Sequence, residues 1–313
     1  MRCLCCNKIL DSNSNNGWHF KCIKNFFNTD KLPKLDLTKD RINEIANNNV
    51  SKGLTITGVQ KKLSLNLSQY GKDKRLTLVN YPSGYILKPN VEEYESLPEN
   101  EQLVMSLADL VGIKTVPHAL IKLENGEYAY ITKRIDRIIS KNKVKKIAME
   151  DFCQLGNQLT IDKYRGSYEK CAKIIQKYSS RELLDLSELF YRIVFFYITG
   201  NSDMHMKNFS LIENNDTYVL SKAYDLVSTK LVLENDLEDL ALSLNGKKTN
   251  LKKGDFIKFG KFIGLNDITI NKLISNVLNY EEQMISLISE SLLNNTLKCK
   301  FIELVKNRIN ILK

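Results

Sequence analysis

Apolar and polar positions alternate with period two through the first third of the chain. Lys62-Leu-Ser-Leu-Asn-Leu67 sets an apolar side chain at every second place, and Leu54-Thr-Ile-Thr-Gly58 leads into it. Arg75-Leu-Thr-Leu-Val79 and Gly84-Tyr-Ile-Leu-Lys88 read as further strands, bounded by Gly71, Pro82 and Pro89. Leu103, Leu107, Leu110 and Val111 recur at helical spacing over 99–112, ending at Gly112. Val116–Leu123 and Tyr128–Lys133 read as a hairpin about Asn125-Gly126, a favoured turn dipeptide. Before these strands, residues 30–52 form a polar connector with a helical stretch at Leu37–Asn49. Past Asp136 the period changes. Amphipathic segments at 151–158, 166–178, 180–199, 235–243, 254–263, 267–293 and 296–311 predict helices, with Phe209-Ser-Leu-Ile212 strand-like. A β-rich N-terminal part followed by an α-rich C-terminal part predicts a bilobal α+β protein. The boundary is expected near 134–150, where Arg134 to Lys146 reads as a basic loop.

Composition narrows the class without naming a function. The 313 residues are 43% apolar and 26% charged, ordinary for a globular chain, and no period supports a repeat architecture. Lys and Arg exceed Asp and Glu by 46 − 36 = 10. That excess suits nucleotide phosphates, tRNA, DNA or an acidic protein, and suits a merely solvated lysine surface equally well. The longest apolar stretches, such as Leu189–Ile198, carry charge and fall short of the ~20 residues a membrane span needs. Met1-Arg-Cys-Leu-Cys-Cys has no apolar core of a signal peptide, so a cytoplasmic chain without membrane contact is expected.

Seven cysteines are distributed unlike a secreted disulfide framework. Cys3-x2-Cys6 and His19-x2-Cys22 can supply a tetrahedral three-thiolate, one-imidazole set for structural zinc, closed to further ligands. Cys5 offers a competing thiol, and packing of Gly17-Trp18 is the alternative reason for this segment.

The richest chemistry lies in Gly200-Asn-Ser-Asp203-Met-His-Met-Lys-Asn208-Phe. Phosphoryl transfer needs an acid to take the acceptor's proton and oxygen ligands to hold magnesium. Protein kinases place an Asn five residues after the catalytic Asp, the spacing of Asp203 and Asn208. A second metal-binding Asp is expected about twenty residues on, and Asp225 stands 225 − 203 = 22 residues later. Lys88 ends a strand, where a lysine for the α/β-phosphates is needed. Each feature alone has a bland reading: Asp203 as a capping carboxylate, Asp225 as a turn residue, His205 as a loop histidine bonded to backbone. No GxxxxGK[ST] and no GxGxxG is present.

Thr55-Ile-Thr-Gly58-Val-Gln-Lys-Lys62-Leu-Ser stands in their place and resembles the phosphate loop of the HipA-type serine/threonine kinase toxins of bacterial toxin–antitoxin modules. Tyr85-Ile-Leu-Lys88-Pro resembles that family's ATP-lysine strand, and Asn201-Ser-Asp203-Met-His-Met-Lys-Asn208-Phe its catalytic loop. Tyr224-Asp225 is similar to the segment that carries its metal-binding Asp. Asn100-Glu101, Thr132–Arg137 and Glu150-Asp-Phe-Cys-Gln154 are further matches, in order from about residue 55 to 245. Only some 50 residues precede the phosphate loop, which resembles the short HipT type of HipBST modules. Met204 stands where the family usually has Arg, and Thr55 and Thr57 where it usually has Ser.

Behind the candidate Cys/His knuckle (1–28), read from its ligand spacing, the resemblance implies a protein-kinase-like fold with a β-rich N-lobe (29–135) and an all-helical C-lobe (136–313). It implies Asp203 as base, Asn208 and Asp225 on magnesium, Lys88 on the phosphates and Lys207 neutralising charge on the transferred group. Gly58, Val59, Gln60 and Lys62 would cover the nucleotide, backbone at Lys133–Ile135 would meet adenine, and His205 would line the same site. Thr55 or Thr57 would be autophosphorylated, switching the enzyme off. The substrate implied is an aminoacyl-tRNA synthetase. The partners implied are a small HipS-like subunit and a helix-turn-helix HipB-like antitoxin, with DNA reached only through the latter. A small-molecule or lipid kinase, or a degenerate kinase fold serving as a binding module, is the rival.

Overall fold

The computed structural model describes residues 1–11, 14, 16–35, 62–70, 73–78, 84–140, 143–233 and 235–313. The predicted helix Leu37–Asn49, the strand Leu54–Gly58 and the sites Thr55, Thr57, Gly58, Val59 and Gln60 lie outside them. The chain divides into two compact units, Met1–Gln102 with Val116–Lys146, and Leu103–Thr115 with Ile147–Lys313.

The first unit is built on a six-stranded sheet: β1 (Lys34–Leu35), β2 (Leu63–Tyr70), β3 (Asp73–Leu78), β4 (Tyr85–Pro89), β5 (His118–Lys122) and β6 (Tyr128–Lys133). Their order is β1-β3-β2-β4-β6-β5, antiparallel except for the parallel pair β1–β3. The period-two pattern maps onto it: Leu63, Leu65 and Leu76 are buried, while Ser64 and Asn66 are half-exposed. The expected hairpin closes at Asn125-Gly126, where Gly126 takes φ 87 and the Asn125 amide oxygen accepts from the Glu127 N–H at 3.1 Å. Arg134–Lys146, expected as a basic loop, instead contains a two-stranded ribbon, β7 (Arg137–Ser140) with β8 (Lys143–Lys146). An N-terminal helix α1 (Phe20–Phe27) belongs to the same unit, and helix α2 (Leu97–Leu110) contributes residues to both units.

Helices dominate the second unit: α3 (Phe152–Leu155), α4 (Tyr168–Tyr178), α5 (Glu182–Thr199), α6 (Lys253–Phe262), α7 (Asp267–Leu278), α8 (Glu281–Ser289) and α9 (Asn295–Leu312). Helix α5 is apolar on nearly every face from Leu189 onward, and such a helix must be central. It is: Leu189 to Thr199 are buried throughout, with Phe190 stacked on Phe259 at 6.3 Å. This unit is not all-helical. Strands β9 (Met149–Asp151), β10 (Ser210–Asn214) and β11 (Thr217–Leu220) form a small antiparallel sheet in the order β11-β10-β9. The alternation in these strands is too short to announce them all. Nor is 235–243 a helix, because its backbone bonds elsewhere: Asp239 N–H donates to the Lys248 carbonyl at 2.6 Å, and Ser243 bridges Ser167. The expected helix 267–293 is broken at Asn279-Tyr280, between α7 and α8. Among the described residues no helix is long and apolar enough to cross a membrane.

Candidate active site

In the first unit, Lys88 lies on β4, opposite Tyr130 of β6. A lysine buried this deeply needs a counter-ion. Glu101 of α2 supplies it, with Nζ to Oε1 at 2.5 Å and both side chains at most 4% exposed. The ammonium also sits 5.3 Å from the Tyr130 ring centre. Of the candidate phosphate-loop residues, Lys62 alone is described, exposed ahead of β2. Lys133 pairs with Tyr85 in the β4–β6 register, and the Arg134 N–H donates to the Gly84 carbonyl at 2.9 Å. Beyond Ile135, Asp136 holds Arg134 through two bonds of 2.8 and 2.7 Å and Arg137 through one of 2.6 Å. Burial alone would raise the Asp136 carboxyl, but the two guanidinium groups outweigh it and hold it below its ordinary range.

In the second unit the loop 200–208 is set by the way α5 ends. Gly200 takes the left-handed conformation (φ 64) and donates its N–H back to Phe196 and Tyr197. The chain thus turns sharply, and Asn201 is wholly buried with its amide oxygen accepting from the Asp203 N–H at 3.1 Å. Ser202 is anchored behind the loop by Thr229, 2.6 Å between hydroxyls, and by Asp236. Asn208 closes the loop: its side-chain nitrogen donates to the Asp203 carbonyl at 3.0 Å. The Asn208 amide oxygen accepts no hydrogen bond among the described residues. Asp203 and Asn208 are therefore fixed to each other.

Asp225 comes to the same loop. Tyr224, just before it, shares a 2.6 Å hydrogen bond with Ser210 and donates one to the Lys207 carbonyl at 3.1 Å. Asp225 itself holds φ 61, in the left-handed region that Asp and Asn enter more readily than other non-glycine residues. Its charge is felt by both Tyr164 and His205. An amide oxygen and a carboxylate are the hard donors magnesium takes, so the donor set suits that ion.

Three further side chains have no motif-assigned role, two in the second unit and one, Glu101, beside Lys88 in the first. The Tyr164 hydroxyl donates to Asp203 Oδ1. Burial first, and the Asp203 charge second, push the Tyr164 phenol well above its ordinary value, so it stays a donor. Asp151 accepts from Lys207 Nζ at 2.6 Å while capping α3 in a reciprocal pair with Gln154. Glu101 is the third. Tyr164 and Asp151 lie 39 and 56 residues from their partners, beyond any local pattern. Glu101 had a visible signal, an acid opening a helix after the lysine strand. His205 is buried, edge-on to Tyr164 at 4.9 Å, and its Nδ1 has no hydrogen-bond partner among the described residues. Burial lowers its basicity, outweighing Asp203 and Asp225.

The remaining candidates, Cys3, Cys6, His19 and Cys22, gather in the first unit with their ligand atoms all within 4.8 Å of one another.

Comparison with known proteins follows the same lines. The sequence profile of the HipA-like C-terminal domain matches residues 54–284. A Haemophilus influenzae protein named "Putative kinase" is 29% identical over 316 aligned positions, covering 91% of this chain and 88% of that one. The serine/threonine-protein kinase toxin HipA of Shewanella oneidensis is 26% identical over 77% of this chain, which spans 58% of the toxin's length. Among solved structures, that organism's HipA with HipB and operator DNA superposes with a TM-score of 0.68 at 22% identity, covering 82% of this chain and 64% of that one. The Helicobacter pylori proinflammatory kinase CtkA gives 0.53 at 14% identity, over 80% of this chain and 95% of CtkA.

Proposed function

Because the chain belongs to the HipA-like C-terminal domain family, we propose that it is an ATP- and magnesium-dependent serine/threonine protein kinase, the toxin of a toxin–antitoxin module. The observation that carries this is the closed loop 203–208. One hydrogen bond, Asn208 Nδ2 to the Asp203 carbonyl at 3.0 Å, holds a carboxylate and an amide oxygen in fixed relation, with Asp225 bound to the same loop through Tyr224.

The residues divide the work by their chemistry. The Asp203 carboxylate, one oxygen steered by Tyr164, would orient the acceptor hydroxyl and take its proton. Asn208 and Asp225 would hold magnesium, which when bound neutralises charge on the phosphates. Lys88, paired with Glu101, would meet the nucleotide phosphates, as would backbone at Gly58, Val59 and Gln60. Lys207, steadied by Asp151, would offset charge developing on the transferred group. Backbone at Lys133–Ile135 would meet adenine.

By likeness to the family, the acceptor is an aminoacyl-tRNA synthetase and the outcome is arrested translation. The Shewanella HipA complex with HipB and operator DNA supports an antitoxin partner. By resemblance to the short HipT type, that partner would be a helix-turn-helix protein through which DNA is reached, with a small HipS-like subunit completing the module. The test is the purified chain with labelled ATP, magnesium and a panel of synthetases. Labelled serine or threonine on one synthetase is the expected result. Transfer to other acceptors only would reassign the substrate, and no transfer to any protein would refute the activity.

A further inference from the structure

The four N-terminal ligands are brought together by geometry the kinase chemistry does not use. Cys3 and Cys6 flank a tight turn: Cys3 N–H donates to the Lys8 carbonyl at 2.8 Å, Asn7 N–H to the Cys3 carbonyl at 3.0 Å, and Asn7 is left-handed at φ 58. His19 caps α1 and Cys22 lies three residues on, so the two occupy one side of the helix start. Gly17 joins the halves at φ 82, with Leu4 packed 3.0 Å from where a Cβ would stand.

Tetrahedral zinc, with Zn–S of about 2.3 Å and Zn–N of about 2.0 Å, sets neighbouring ligand atoms roughly 3.5–3.8 Å apart. Cys6 Sγ and His19 Nδ1 are already 3.4 Å apart, and no pair among the four exceeds 4.8 Å. His19 is oriented for the task. Its Nε2–H donates to the Ile9 carbonyl at 2.9 Å, which fixes the tautomer and leaves the Nδ1 lone pair facing the sulfurs. The His19 backbone N–H points at Cys3 Sγ, 3.5 Å away, as suits a thiolate. All seven cysteines are free thiols. We infer that Cys3, Cys6, His19 and Cys22 bind one structural zinc ion, and that the knuckle they close caps the edge of the six-stranded sheet.

The knuckle covers an edge of the sheet. Strand β5 is the sheet's edge, a place where unpaired backbone invites association. The Leu120 N–H of β5 donates to the Leu4 carbonyl at 2.9 Å, and the buried Trp18 indole donates to the Leu120 carbonyl at 3.2 Å. From α2, the Gln102 amide donates to the Cys5 carbonyl at 3.4 Å. Trp18, Phe26 and Phe27 form an aromatic cluster with Tyr85 of β4, rings 4.7 to 6.0 Å apart. Three thiolates with an imidazole select zinc over harder cations, and four protein ligands leave no position open for catalysis.

The test uses the full chain purified under reducing conditions without chelator. Elemental analysis should find about one zinc per chain. Cobalt(II) in its place should give thiolate charge-transfer and tetrahedral visible bands. Cys22→Ser and His19→Ala should lose both signals and expose residues 1–28 to protease, whereas His19→Cys should keep zinc and protection. Cys5→Ser should retain the metal. Wild-type protein without zinc and without a cobalt spectrum overturns the site. Metal lost in Cys5→Ser and kept in Cys22→Ser overturns the ligand assignment.

Discussion

At the scale of single residues, the candidate site holds side-chain contacts between residues far apart in sequence. Tyr164 illustrates this: its hydroxyl donates to the carboxylate proposed as the base, so removing it should misorient Asp203 without discharging it. Tyr164→Phe is expected to lower kcat roughly tenfold, about 1.4 kcal/mol, the size of one hydrogen bond to a charged group at a half-exposed tyrosine. KM for ATP should stay near its wild-type value; steady-state kinetics on the protein acceptor measures both. His205 carries a second prediction, through pH. Burial favours its neutral ring, so its folded-state pKa lies below the unfolded value of about 6.5. Below that pH the unfolded chain binds a proton the folded chain resists, and stability falls as pH drops from about 6.5 toward the folded pKa. Above 6.5 this contribution is complete. Denaturant unfolding of wild type and His205→Gln at a series of pH values should show the acid-side loss shrinking in the variant. An identical slope in both would show that His205 does not set it.

At the scale of elements, Gly200 decides where α5 stops and the 203–208 loop begins. An alanine there would pay about 1–2 kcal/mol for the left-handed backbone. Its Cβ would also stand 2.7 Å from a Leu304 methyl and 2.9 Å from Lys230. Gly200→Ala should cost about 2 kcal/mol or more in thermal or denaturant unfolding, and should depress transfer further than the lost stability explains. Elements with strong periodicity were readable from the sequence: β2 through β6, the Asn125-Gly126 hairpin, α5 and α9. Those missed fail for local reasons. The 235–243 segment has helical spacing at Leu237, Leu240 and Ala241, yet the Asp239 carboxylate accepts from the Leu251 N–H at 3.0 Å, and the backbone follows. The three-stranded sheet rests on the pairing of Ser210 with Asp151, a contact across 59 residues that alternation over four positions cannot reveal. The site splits along the same line. Of the candidate residues, Lys88, Asp203, Asn208 and Asp225 stood out as spaced residue types and Asp151 lay in a matched segment, whereas Tyr164 and the contacts Tyr164–Asp203 and Asp151–Lys207 needed the fold.

At the scale of the whole molecule, the proposed kinase would act on a protein and would restrain itself. Phosphate on Thr55 or Thr57, in the segment proposed to cover the nucleotide, would add roughly −1.5 to −2 charges there. Like charges there repel, so nucleotide affinity should fall as modification proceeds. Intact-mass spectrometry of the active chain incubated with ATP should show added phosphate on one of these threonines, and ATP titration a weaker complex. A chain that stays unmodified at both would remove this mode of control. The central claim, phosphoryl transfer with Asp203 as base, is tested most directly by one comparison. Wild type and Asp203→Asn are incubated with labelled ATP, magnesium and a protein acceptor, with ATP affinity measured in parallel by calorimetry. The account predicts transfer reduced by about 10²–10⁴-fold in the variant while ATP binds nearly as before. Transfer by Asp203→Asn at close to the wild-type rate would contradict it.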